Sequence, residues 1–239
     1  MVNPTVARLT VRGLLGRRRG VLLLVVPAVL LAISLLARSA GQDRHDLAVN
    51  ILGQLALGTL VPILGLVVGT GVIATEIDDG SIVYLLSKPL PRWQIIITKL
   101  TVAIATTWAF AAVPTLLAGL ILYGTQDGLA VGYAVGALAS GAVYSALFLL
   151  FGVVTRHAVV AGLGYALVWE SLVGNYVEGA RTLSIQQWGL SVAKSIAGEG
   201  AISADVALGT AVPLLILVAL GATVLASVKL AGLTLVAEE

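Results

Sequence analysis

The stretch LAVNILGQLALGTLVPILGLVVGTGVIAT, residues 47–75, carries no charged side chain, and it runs straight into the charged segment EIDDGSIVYLLSKPLPRW, residues 76–93. About 20 apolar residues in a helix cross the hydrocarbon core of a bilayer, so 47–75 reads as a membrane span with a partly polar lead-in. The segment after it returns the chain to water on one face. Working outward, further uncharged stretches run 20–37, 100–126, 128–155 and 206–228. A sixth, Ala158 to about Val173, is weaker because Glu170 falls near its end.

The composition agrees with this reading. Of 239 residues, 59% are hydrophobic and 11% are charged, against about a quarter charged in an ordinary soluble domain. The fold expected is an all-α polytopic membrane protein forming one domain over 1–239. Its six transmembrane helices are expected at about 20–38, 50–73, 100–123, 130–153, 157–174 and 206–229. An inner loop would occupy 74–99 and an outer loop 174–204.

The orientation follows from the basic residues. With six spans and both termini cytoplasmic, the inner side receives Arg8, Arg12, Arg17, Arg18, Arg19, Lys88, Arg92, Lys99, Arg156 and Lys229, while the outer side receives Arg38, Arg44, Arg181 and Lys194. Omitting the fifth span leaves the balance leaning the same way, so charge alone does not require that span. Trp169 and Tyr176 suit the outer headgroup level and support it, as Tyr123 and Tyr133 do at the preceding outer turn.

Arg17-Arg18-Arg19 followed by the apolar run to Ala40 has two readings, a cleaved signal sequence or an uncleaved first helix. The residues ahead of it and the spans behind it favour the second. Residues 3–16 place Arg8 and Arg12 one helical turn apart beside Val6, Leu9 and Leu14, as in a short helix lying on the inner membrane surface with a thin apolar face. Cysteine is absent, which excludes disulfides and thiolate metal sites.

Within the spans, Pro27, Pro62, Pro114 and Pro213 are positions where neighbours must accommodate a bend. Gly65-x-x-x-Gly69 and Gly132-x-x-x-Gly136 offer flat faces to a close-packed helix. Charge is absent from the interior of every strong span, with Glu170 and Glu76 at ends, which argues against a proton- or sodium-coupled carrier. The sequence holds neither HExxH nor GxSxG, and no carboxylate pair from which an intramembrane enzyme could be built. His45 beside Asp43 and Asp46 has two readings, a weak metal site or a solvated outer loop, and the second is favoured.

No GxxxxGK[ST] loop occurs, so any ATP driving this protein would be bound by another subunit. The inner segment is suited to receive one. Thr75 and Asp78 form an N-cap pair, and Glu76, Asp78 and Asp79 favour the positive end of a short helix. Ile82, Leu85 and Leu86 give that helix an apolar side, Pro89 and Pro91 stop it, and Arg92-Trp93 lead into the third span. A connector that merely hugs the membrane remains an alternative.

Residues 76–99, EIDDGSIVYLLSKPLPRWQIIITK, resemble the hallmark of the ABC-2 type permeases, the six-span membrane subunits of type V ABC transporters. The family pattern is an acidic residue, a Gly-Ser/Thr pair, a Leu-Leu-Ser/Thr-x-Pro core, an Arg, and a Lys leading into the third helix. Glu76, Gly80, Ser81, Leu85, Leu86, Ser87, Pro89, Arg92 and Lys99 match it. The likeness extends over nearly the whole chain through the basic N-terminal helix and the longer outer segment between spans five and six. By this resemblance, the coupling element would comprise Glu76, Asp78, Asp79, Gly80, Ser81, Leu85, Leu86, Ser87, Pro89 and Arg92, with Arg12 and Lys99 as interfacial anchors at the headgroups. Residues 174–204 would form short re-entrant or surface helices over the outer exit.

The resemblance also implies partners. Two copies of a separate ABC ATPase subunit would bind ATP and Mg2+, this chain holding no cofactor of its own. A second permease, identical or homologous, would complete the complex in the lipid bilayer of the cell membrane, with no nucleic acid involved. Spans of Val, Leu, Ala and Gly imply an apolar path and export of a lipid, peptide or drug-like natural product. The alternative is a membrane scaffold, or a maturation or mechanotransmission subunit that moves no small cargo.

Overall fold

The computed structural model describes residues 4–14, 16–39, 44–73, 91–173, 179–198 and 200–232. Of these, 89% are helical and none lies in a strand, so the chain is an all-α polytopic membrane protein. A chain this apolar must satisfy its backbone within each segment, and the helix does so. Helix α1 is Pro4–Leu14 and α2 is Arg17–Ser39. Helices α3, His45–Gly71, and α4, Arg92–Leu122, are followed by a tight turn at Gln126–Gly128 and by α5, Leu129–Val154. Helix α6, Ala158–Gly164, continues as the π-helical Tyr165–Val173. Helices α7, Ile185–Ile196, and α8, Leu208–Gly232, complete the chain. Among the described residues α2, α3, α4, α5 and α8 are long and apolar enough to cross a membrane, and α6 is a shorter apolar helix. The expected coupling residues Glu76, Asp78, Asp79, Gly80, Ser81, Leu85, Leu86, Ser87 and Pro89 lie outside the described residues.

Helix α5 is the centre of the bundle, touching α3, α4, α7 and α8. Its small residues explain how. The Gly65/Gly69 face of α3 lies directly on Tyr144 and Phe148 of α5, where an added Cβ would come within 2.7 Å and 2.9 Å of their Cβ atoms. The Gly132/Gly136 face of α5 receives α7. Both expected flat faces are therefore filled within the chain. Across the α4–α5 contact Thr107 and Ser145 share a hydroxyl hydrogen bond at 3.0 Å.

Two of the expected bends are widened helical turns. Ile51–Leu60 in α3 and Trp108–Ala112 in α4 are π-helical, and Pro62 and Pro114 follow just after them. Proline has no N–H and its ring crowds the carbonyl four residues back. The residue before each proline donates instead five residues back, Val61 to Ala56 and Val113 to Trp108. Neighbours take up carbonyls near the first of these segments: Gln186 Nε2 donates to Gly53 at 3.1 Å and the Tyr133 hydroxyl to Val49 at 3.2 Å.

Helix α7 enters the bundle instead of lying across its end. It runs antiparallel to α5, with Ala193 against Gly132, and Gly189 against Gly136 and Ser140. Its last residues meet the α4–α5 turn, where the Gly198 N–H donates to the Asp127 carbonyl at 2.7 Å. At 1.5 Å per residue its N-terminal end lies roughly 16 Å along α5 from that turn, inside the bundle. Helix α7 is thus one of the short helices expected in 174–204, and it packs against α5 and α8.

Candidate functional site at the helix ends

In sequence, residues 74–90 lie between α3 and α4, so these two helix ends flank the expected coupling residues. A helix leaves its last carbonyls without intrahelical donors and carries partial negative charge there. Lys99 of α4 donates from Nζ to the carbonyl oxygen of Val72, the residue after α3. Its side chain is 0% exposed. Burying an ammonium is costly unless hydrogen bonds and opposite charge compensate, and the C-terminal end of α3 supplies both.

Arg92, the first residue of α4, performs the same service for α8. Its Nη1 donates to the carbonyls of Leu230, at 3.0 Å, and Ala231. One helix thus sends a cation to the C-terminal end of each of two neighbours. The expected anchoring of Lys99 at lipid headgroups is corrected by this arrangement. Pro91 is extended and α4 begins at Arg92 instead of near residue 100, which places Lys99 two turns inside a packed helix. Arg12, the other expected anchor, lies on the exposed side of α1.

Helix α2 repeats the device toward α4. Arg38, at the end of α2, donates from Nη1 to the Ile121 carbonyl at 2.8 Å, near the last turn of α4. The His45 ring packs edge-on against Tyr123 with centroids 5.3 Å apart.

Charge of opposite sign serves the opposite helix end. Glu170, 1% exposed, accepts hydrogen bonds from the Ser184 hydroxyl at 2.5 Å, the Ile185 N–H at 3.0 Å and the Tyr165 hydroxyl at 3.1 Å. Ser184 is the N-cap of α7, its Oγ accepting from the Gln187 N–H at 3.3 Å. A carboxylate against free N–H groups at a helix N-terminus is the favourable pairing of charge and dipole. Sequence reasoning placed Glu170 at the end of a span and assigned it no partner. The S184-I-Q-Q187 pattern signals a capped helix start, but nothing local signals that Glu170 returns to it. Lys99 and Glu170 are the buried charged side chains among the described residues, and each completes a helix end.

Comparison with known proteins agrees with this architecture. A family model described as ABC-2 family transporter protein matches residues 20–222, from the start of α2 through most of α8. No curated protein sequence matches the chain.

Proposed function

We propose, from the premise that this chain belongs to the ABC-2 transporter family, that segment 74–90 is the seat of a separate ABC ATPase and that Arg92 and Lys99 pass its movement to the spans. The chain is a multi-pass membrane protein and a permease subunit of an ABC transporter, and membership of the family implies an ABC ATPase as partner. In the proposed complex two ATPase copies hold ATP and Mg2+ and close on nucleotide binding. The segment from Glu76 to Ser87 takes up that stroke through Leu85 and Leu86. The observation that carries the reading is the pair of hydrogen bonds from α4, Lys99 to Val72 and Arg92 to Leu230 and Ala231, which tie α3 and α8 to the helix on which the segment ends.

The proposed setting is the cell membrane with both termini in the cytoplasm and a second permease copy facing the first. The proposed cargo is hydrophobic or amphipathic and is exported. Supporting this is the engagement in helix ends of both buried charges among the described residues, which leaves the rest of the described interior to uncharged side chains, aliphatic ones with Tyr133, Tyr144, Phe148 and Trp188 foremost. The test is isolation of the tagged chain from native membranes in mild detergent, with identification of what accompanies it. An ABC ATPase in stoichiometric amount is the expected result; isolation of intact chain without one contradicts the reading.

A further inference from the structure

Helix α1 buries one stripe against the bundle and leaves an unusual other side. Val6, Thr10 and Leu14 face inward, Thr10 donating back to the Val6 carbonyl at 2.9 Å. Arg8, Leu9, Val11 and Arg12 are exposed, so two cations one turn apart share a surface with two uncovered aliphatic side chains. Such a surface suits the boundary between headgroups and acyl chains, where apolar atoms enter the bilayer and guanidinium groups meet phosphate.

An open apolar groove of about 270 Å³ begins beside this surface. Its walls are Val11 and Leu14 of α1 with Val102, Ala105, Ala109 and Phe110 of α4. Thr106, its polar member, has its hydroxyl engaged as donor to the Val102 carbonyl at 2.8 Å. From Val102 to Phe110 the groove extends roughly 12 Å along α4, directed away from Arg92 and into the bundle's apolar belt.

We propose that this is a binding site for one phospholipid with an anionic headgroup, its phosphate held by Arg8 and Arg12 and one acyl chain lying in the α1–α4 groove. Charge complementarity selects the occupant: residues 1–42 contain no Asp or Glu, and Arg17, Arg18 and Arg19 open the next helix. Anionic lipid gains attraction from each nearby basic residue, whereas a zwitterionic lipid gains little. Assignment to the inner leaflet rests on the orientation proposed above; the site itself does not.

Native mass spectrometry of the purified full chain, titrated separately with phosphatidylglycerol and phosphatidylcholine of the same acyl composition, tests the site without an ATPase. The wild type is expected to bind phosphatidylglycerol at least about tenfold more tightly. The double variant Arg8→Gln/Arg12→Gln is expected to lose that preference. Ala105→Phe/Ala109→Phe, two changes on exposed positions of α4, is expected to weaken binding of both lipids, with the thermal midpoint reporting whether the fold persists. Equal affinities in the wild type overturn the proposal, as does an unchanged preference in the arginine double variant. Loss of preference only in Arg17→Gln/Arg18→Gln/Arg19→Gln places the contact on α2 and overturns it equally. Should the phenylalanine variant fail to fold, the arginine variants decide.

Discussion

Lys99 on α4 donates its ammonium to the carbonyl of Val72 just beyond α3, so that two consecutive helices, which flank segment 74–90 in sequence, are joined by a buried cation. Lys99→Met keeps the aliphatic bulk and removes the donor. A hydrogen bond from a charged group contributes about 1.5–3 kcal/mol, and the variant should lose roughly that much stability. Thermal unfolding in mild detergent measures it. An unchanged midpoint would mean that the bond carries no weight.

Arg92 differs from Lys99 in being only partly buried, and its two acceptors belong to the last turn of α8. Arg92→Ala should cost about 0.5–1 kcal/mol of stability, the usual size of a cation at a helix C-terminus. Its effect on permease-stimulated ATP turnover should be larger, a fall of at least about half if mechanical continuity to α8 is what stimulation requires. Arg92→Lys should restore less than full turnover, because an ammonium cannot reproduce the planar fork. Wild-type turnover in Arg92→Ala would remove α8 from the transmission path.

Glu170 holds the N-terminus of α7 inside the bundle. Glu170→Leu leaves the Ser184 hydroxyl and the Ile185 N–H without their acceptor, at about 3 kcal/mol for the pair. Amide exchange should rise across Ile185–Ile196 ahead of the rest of the bundle. Glu170→Gln should fall between, since its carbonyl still accepts while its amide faces other donors. Exchange in α7 as slow in Glu170→Leu as in the wild type would show that the helix is held by packing alone.

Two glycine substitutions separate close packing from backbone preference. A Cβ at Gly136 would stand 2.5 Å from the Gly189 carbonyl oxygen of α7, whereas one at Gly164 would meet nothing within 4 Å. Gly136→Ala should destabilise by about 1–3 kcal/mol through overpacking. Gly164→Ala should be neutral or stabilise by up to about 1 kcal/mol by restricting the unfolded chain. Equal melting temperatures for the two variants would contradict the α5–α7 contact.

Much of the architecture was legible because its causes are local. Absence of charge over 47–75 and 100–126 marks helices directly, and Pro62 and Pro114 mark where those helices change their hydrogen bonding. Gly132 and Gly136 announced a close neighbour without naming it, since the neighbour, α7, arrives from an outer segment whose own pattern suggests only short pieces. Lys99 and Glu170 were legible as charges near the ends of apolar runs, and their roles were not. Whether a lysine seven residues into a helix reaches headgroups or a neighbouring carbonyl depends on which helix ends beside it, and that is a tertiary fact. Arg92 belonged to a recognisable motif, yet its acceptors Leu230 and Ala231 lie at the other end of the chain.

The central claim is that segment 74–90 couples this permease to an ATPase, and its most direct measurement is ATP turnover by the complex isolated through a tag on this chain. The comparison is between wild type and Leu85→Ala/Leu86→Ala, both reconstituted in lipid. The account predicts that the double variant inserts and folds normally, while ATPase association or stimulated turnover drops by about tenfold, the loss of roughly 1.4 kcal/mol of contact. Stimulated turnover at the wild-type level in the double variant, with the ATPase fully retained, would contradict it.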